Sequence, residues 1–249
     1  MSTHAPLPPS SAGRWMACPG SVAAERAAPP APSSTFADEG THAHELFARC
    51  LTRTLAADAV TEDPVIAVPL ALSLDLARRI LDGRAFLVET RLRPLSGLPD
   101  IWGTSDVIGF SAAGPVDTIL DLKFGEGLVI EADAVQLGIY ALLAARIYGA
   151  APDGITVWII QPRCDHADGP ARQHHYSLAA LARLETTIRA AAVATTDPAA
   201  PRQAGPWCRF CAAVGECPTR QQTPDAIPAA VSGFFRPVPR WLDPVKLDA

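Results

Sequence analysis

Between residues 86 and 194 the spacing of apolar residues changes from two to three-or-four and back, and that order of periods leaves few folds open to the chain. "FLVETRLR" (86–93) alternates apolar and polar, "IWGTSDVIGF" (101–110) is rich in β-formers, and "DTILDLKF" (117–124) is a third strand-like run. Gly, Pro and Ser between the runs predict turns, so the three strands should form an antiparallel meander. "EADAVQLGIYALLAARIYG" (131–149) has the pattern of a helix ending at a glycine cap. "ITVWIIQP" (155–162) reads as a buried strand, "RQHHYSL" as a weaker one, and 178–194 as a further helix. Upstream, "FADEGTHAHELFARCLTRTLAA" (36–57) repeats His44, Phe47, Leu51 and Leu55 at helical spacing, and a second helix is expected over about 69–84. Helices, three strands, helix, two strands, helix: this order predicts an α/β fold, a mixed central sheet flanked by helices on both faces.

With 249 residues, 49% of them hydrophobic, the chain can bury one well-packed core. A single domain is expected over 10–220, with its core at about 36–196. The Pro-rich residues 1–9 are expected to be disordered, "PPAPSS" (29–34) to be a linker, and 221–249 to be a tail of little pattern. The longest apolar run, around "YALLAARIYG", is interrupted by Arg146 and falls short of the roughly 20 residues that span a bilayer. The N-terminus lacks a basic region followed by an apolar core, so no secretory signal is expected, and the location predicted is cytoplasmic. The net charge of -5 argues against a broadly basic surface that coats nucleic acid, while leaving room for a local groove.

The segment "TILDLKFGEG" (118–127) contains one of only two lysines, Lys123 and Lys246, in a chain that otherwise uses arginine. Period-two alternation puts Asp121 and Lys123 on one face. Asp106, in "GTSD", lies on the neighbouring predicted strand. Adjacent strands are about 5 Å apart, so the two carboxylates can share one divalent cation. A hard cation such as magnesium prefers carboxylate oxygens and keeps waters, one of which can become a nucleophile. A lysine supplies a compact charge that can orient or deprotonate that water, for which a planar arginine is a poor substitute. Taken alone, Asp-x-Lys is an ordinary ion pair at a solvated strand end. Its company makes it informative: His44 is an acceptable third ligand for manganese or magnesium, and Gln136 and Tyr140, four residues apart, share a helix face that can meet a DNA phosphate or base.

Six cysteines in a reducing location are expected to be metal ligands or buried thiols. Cys208, Cys211 and Cys217 form a C-x2-C-x5-C cluster that leaves a tetrahedral site one ligand short, and Cys18, in the Pro-Gly turn of "ACPGS", suits the vacancy. The two ends of the chain would then be clamped together. Cys50 and Cys164 are expected to be ordinary thiols. Zinc is the general expectation for four thiolates.

In order along the chain, Gly40 with His44, Gly103 with Asp106, Asp121 with Lys123, and Gln136 with Tyr140 resemble the G-x-x-x-H, G-x-x-D, D-x-K and Q-x-x-x-Y motifs of the RecB-like branch of the PD-(D/E)XK nuclease superfamily. The resemblance spans about 36–140 and implies a restriction-endonuclease-like core. It further implies that His44, Asp106, Asp121 and the main-chain carbonyl of Leu122 bind Mg2+ or Mn2+, that Lys123 is catalytic, and that Gln136 and Tyr140 support the substrate side. His42, Glu39 and Glu45 beside the first motif leave the helix ligand open. One N-terminal cysteine plus a C-terminal trio also resembles iron-sulfur nucleases, the AddB-type subunits and CRISPR-associated adaptation nucleases, which implies a structural [4Fe-4S] cluster at Cys18, Cys208, Cys211 and Cys217 with Zn2+ as the alternative. "SSAGRWMACPGS", "DLKFGEG" and "QPR" are similar to a phage and prophage family with this core. The function implied is a metal-dependent deoxyribonuclease, an exonuclease or end-processing enzyme of phage DNA recombination or replication, with DNA as substrate and an annealing protein or helicase as partner. Two other classes stay open: a catalytically silent nucleic-acid-binding or assembly module of the same fold, and a zinc-stabilised structural protein.

Overall fold

In a computed structural model of the chain, which describes residues 5–29, 35–94, 96–98 and 100–223, the expected α/β architecture is present. A short 3₁₀ turn, Pro9–Ser11, leads into α1 (Ala12–Ala17) and α2 (Ser21–Ala27), followed by α3 (Thr35–Arg53) and α4 (Pro64–Leu81). The strands are β1 (Phe86–Leu92), β2 (Gly103–Phe110) and β3 (Val116–Leu122); after α5 (Val135–Tyr148) come β4 (Ile155–Ile160) and β5 (Ala171–Tyr176), then α6 (Leu178–Ala194) and α7 (Pro218–Gln222). The five strands lie in the order β1-β2-β3-β4-β5. β1, β2 and β3 form the antiparallel meander; β3 and β4, joined through α5, pair in parallel, and β5 returns antiparallel. Joining parallel neighbours requires a crossover, and α5 provides it.

Alternation along the strands separates two cores. Ile108, Ile119, Val157 and Ile159 pack with α1, α5 and α6 on one face, whereas Val107, Leu120, Leu122 and Ile160 pack with α3 and α4 on the other. Helix α3 turns Ala43, Leu46, Phe47, Cys50 and Leu51 inward at helical spacing. α5 buries an almost continuous run from Leu137 to Ala144, because sheet and α6 cover it from both sides. Gly154, at φ 106, makes the turn into β4; a Cβ there would sit 2.2 Å from the Tyr176 carbonyl oxygen.

Several boundaries differ from expectation, each for a local reason. α3 stops at Arg53 and not at residue 57, since Thr54 adopts a left-handed conformation at φ 54. α4 begins five residues earlier than 69: Asp63 caps it, accepting the Val65 N–H at 3.0 Å, and Pro64 fits the first turn. Pro69, which resembles a helix start, lies inside the helix. α5 starts at Val135, after an extended Ala134. The Pro-rich start is a larger correction. Residues 5–9 are not a loose extension but part of the packed domain: Ala5, Leu7 and Pro9 are buried, the Leu7 N–H bonds the Asp100 carbonyl at 3.0 Å, and the Trp15 indole bonds the Pro8 carbonyl at 3.1 Å. Prolines have little backbone freedom to lose on ordering, so such a segment docks at small entropic cost. Residues 1–4, most of the predicted linker (30–34) and the tail from 224 lie outside the described residues. Among the described residues no helix is long and apolar enough to cross a membrane.

Candidate functional site

Strand register assembles the site. Pairs Val88↔Val107 and Thr90↔Ser105 place Glu89 opposite Asp106, and the pairs Ile108↔Ile119 and Val107↔Leu120, continued by one residue, place Asp106 opposite Asp121. Asp106 and Asp121 share parity with Ile108 and Ile119, so all three acids point to the α5 face of the sheet. The β2–β3 ladder ends here: Asp106 Oδ2 accepts the Leu122 N–H at 2.7 Å, a side chain taking the place of a backbone partner. This bond fixes the carboxylate next to the Asp-Leu-Lys segment.

Asp121 is 3% exposed. Its Oδ1 accepts from Gln136 Nε2 at 3.0 Å, and its Oδ2 lies 2.6 Å from Lys123 Nζ. The Lys123 approach does not meet regular hydrogen-bond geometry at Oδ2, but at that distance two opposite charges are an ion pair and the oxygen is not orphaned. Burial, joined by the charge of Asp106, pushes the Asp121 carboxyl above its ordinary range, while Lys123 draws it back. His44, on α3, brings Nδ1 to 3.3 Å from Asp106 Oδ1. Burial acts to depress this imidazole, yet the hydrogen bond to Asp106 and the charges of Asp106 and Asp121 outweigh it, leaving the pKa raised. His42 instead sits at the surface, 4.0 Å from Glu45, so His44 is the helix residue that reaches the acids.

Tyr140 is buried one helical turn beyond Gln136, with its phenol pushed up by burial and then by the charge of Asp121. It also explains the glycine of the second motif: a Cβ on Gly103 would lie 3.0 Å from Tyr140 Cε1 and 3.2 Å from Pro9. Gly40 has no comparable constraint, since a Cβ there meets open space. The Leu122 side chain belongs to the core on the α3/α4 face, which leaves only its main chain available to the site.

Two further groups went unrecognised in the sequence. Glu89 extends the row of acids from the edge strand β1, at φ 45; its carboxyl is pushed up to about 6, first by burial and then by the charge of Asp106. Nothing in "FLVETRLR" marks it except strand parity with the other two acids. Arg163 forms ion pairs with both Glu39 on α3 and Glu126 in the segment after Lys123, and lies over the Phe124 ring at 5.1 Å. Nearby, buried Gln161 holds the same segment: its Oε1 accepts from the Ile130 N–H at 3.1 Å and from Arg172 at 2.8 Å, and its Nε2 donates to the Leu128 carbonyl at 2.7 Å. These contacts give "QPR" a physical role, positioning the chain between Lys123 and Gln136.

Away from this site, residues 14–25 meet residues 202–220. Cys18, Cys208, Cys211 and Cys217 line one cavity, all as free thiols. Backbone N–H groups point at two of the sulfurs, Gln203 to Cys18 at 3.2 Å and Gly205 to Cys208 at 3.4 Å. Arg14 reaches the Phe210 carbonyl at 3.0 Å and Glu25 at 3.0 Å, while Glu25 accepts the Ala212 N–H at 3.0 Å, so polar contacts also join these two segments. Cys50 is buried between α3 and α4, and Cys164 is buried near the Gly125 carbonyl; both are apart from the cavity.

A solved structure titled "Crystal structure of SSO0001" aligns at a TM-score of 0.38 and 17% identity, covering 85% of this chain and 84% of that one. A family model described as "Protein of unknown function (DUF2800)" matches residues 4–75 and 70–231. That match takes in the helix with His44, the three acids, Lys123 and all four clustered cysteines, and the chain belongs to the DUF2800 family.

Proposed function

We propose that the protein is a metal-dependent DNA nuclease of the RecB-like kind, an exonuclease or end-processing enzyme. The observation that carries this reading is Lys123 Nζ held 2.6 Å from Asp121, itself fixed by Gln136, on the same sheet face as Asp106 with His44 beside it. The residues fit a hard divalent cation. Imidazole and carboxylate donors suit Mg2+ or Mn2+, and three carboxylates there outnumber the one permanent cation, Lys123. His44, Asp106 and Asp121 would hold the ion, with the Leu122 carbonyl as a main-chain ligand. When bound, such an ion supplies charge against phosphate oxygens and acidifies water. Lys123 then contributes a compact positive charge beside the scissile phosphate and can orient the attacking water. Gln136 keeps Asp121 in one rotamer, and buried Tyr140 lies one turn beyond it on the same helix, so Asp121 need not reorganise when the substrate arrives.

The four cysteines would hold a structural [4Fe-4S] cluster. Backbone N–H donors aimed at Cys18 and Cys208 sulfurs favour thiolates. All four cysteines line one cavity, which supports a shared site. The preference for the iron-sulfur cluster over zinc rests on the resemblance to iron-sulfur nucleases, with Zn2+ as the alternative.

The test is cleavage of end-labelled linear single- and double-stranded DNA by anaerobically purified protein with Mg2+ or Mn2+, beside Lys123→Ala. Metal-dependent cleavage absent from the variant is the expected result. DNA that is bound but left intact by both proteins would transfer the reading to a binding or assembly module.

A further inference from the structure

The tightest set of donor atoms at the site is not the pair of acids found from sequence but His44, Glu89 and Asp106, all within 4.8 Å of one another. Three elements converge to make it: α3 supplies the imidazole, β2 the central carboxylate and the edge strand β1 the third group. We infer that Glu89 is a side-chain ligand of the divalent cation, joining His44 and Asp106 from the open edge of the sheet. The inference rests on the metal-dependent reading above and adds a residue to it.

The geometry favours a ligand over an incidental surface acid. Asp106 is 8% exposed, with Oδ2 already engaged by the Leu122 N–H, so its Oδ1 is the atom turned to His44. Asp121 is occupied on both oxygens, by Gln136 and by Lys123. Glu89 has neither kind of engagement: among the described residues its carboxylate has no ion pair within 4.0 Å, though it stands in register with two other carboxylates. Glu89 is exposed on the edge strand, where a glutamate can turn away from like charges at little cost. Here it faces them on the same sheet side, an arrangement that a bound cation converts from repulsive to attractive. An oxygen on the exposed edge of β1 also gives the ion a ligand on the side from which a substrate phosphate can enter.

The test measures Mn2+ binding by calorimetry to the full-length protein, purified anaerobically, with no DNA present. Glu89→Gln should weaken Mn2+ binding on the order of tenfold or more, the loss typical when a group supporting a metal site is removed. Glu45→Gln, which removes the same charge from an exposed position on α3 close by, should bind as the wild type does. The rise in melting temperature on adding Mn2+ should shrink in the first variant only. Glu89→Asp keeps the charge on a shorter stem and provides a second variant should the glutamine fold poorly, with affinity below wild type. Equal affinity of wild type and Glu89→Gln would overturn the inference, as would an equal loss in Glu45→Gln, which would mean that only net charge matters. A wild-type protein that binds no Mn2+ would remove both this ligand and the metal-dependent reading. Glu89-dependent Mn2+ binding without DNA cleavage would sustain the ligand and sink the nuclease.

Discussion

Replacing Arg163 with alanine should loosen the helix bearing His44 from the segment bearing Lys123, with a measurable loss of stability. Arg163 is 13% exposed and pairs with Glu39, 33% exposed, and Glu126, 50% exposed. A fully buried pair broken on one side costs about 3–5 kcal/mol. Exposed pairs contribute about 0.2–1 kcal/mol. With one partner open to solvent, solvent screening brings the Glu126 contact near the exposed end, about 0.5 kcal/mol, while the more enclosed Glu39 contact should contribute about 1–2 kcal/mol. Stacking over Phe124 at 5.1 Å adds about 0.5–1 kcal/mol. Together Arg163→Ala should cost about 2–3.5 kcal/mol. The assay is urea unfolding of wild type, Arg163→Ala, Glu39→Gln, Glu126→Gln and the two double variants, read as double-mutant cycles. Coupling between Arg163 and Glu39 should exceed that between Arg163 and Glu126. Equal couplings, or no loss in Arg163→Ala, would refute the argument that enclosure decides which pair counts.

Two other outcomes follow from the structure. Glu185 bonds Arg146 and Arg189, and the Arg146 hydrogen bond above all lowers its pKa below the ordinary 4.5. A depressed carboxylate pKa stabilises the fold above the unfolded-state value and loses that stabilisation as pH falls through the folded one. Glu185→Gln should therefore flatten the fall in stability below about pH 4.5, measured by urea midpoints across acid pH. Unchanged acid behaviour would show that this pair has no differential effect. On the proposed [4Fe-4S] cluster, Cys18→Ser should lose iron and acid-labile sulfide while Cys164→Ser, away from the cavity, keeps both, as read by metal analysis and visible absorption. Stoichiometric zinc with no iron in the wild type would replace the cluster by the simpler ion.

Much of this molecule was legible from residue order. The meander, the crossover helix and the helices on both faces follow from apolar periodicity, because period two and period 3.6 each expose one face for burial whatever the partner. The parity of Asp121 and Lys123 is likewise a local property, and the contact at 2.6 Å agrees with it. The spacing of Gln136 and Tyr140 put them on one helix face, but in the fold Gln136 turns to Asp121 and Tyr140 is buried against Gly103, so their expected contact with DNA is not part of what the fold displays. Boundaries were less legible, since a cap at Asp63 and a proline admitted at position 69 override the usual helix signals.

What tertiary structure alone decided is which distant residues stand opposite one another. Glu89 lies seventeen residues before Asp106 in a strand whose sequence looks like any half-exposed edge, and only the β1–β2 register makes it a neighbour of His44. Arg163 belongs to the site because β4 ends beside β3, which brings it against Glu39 and Glu126. Residues 5–9 carry the turn-formers of a loose tail, yet the Asp100 carbonyl and the Trp15 indole give them partners. Local chemistry determined which side chains can bind a cation, shift a proton or cap a helix. Strand register and the docking of chain ends determined which of them act together, because those choices depend on burying surfaces that no single segment possesses.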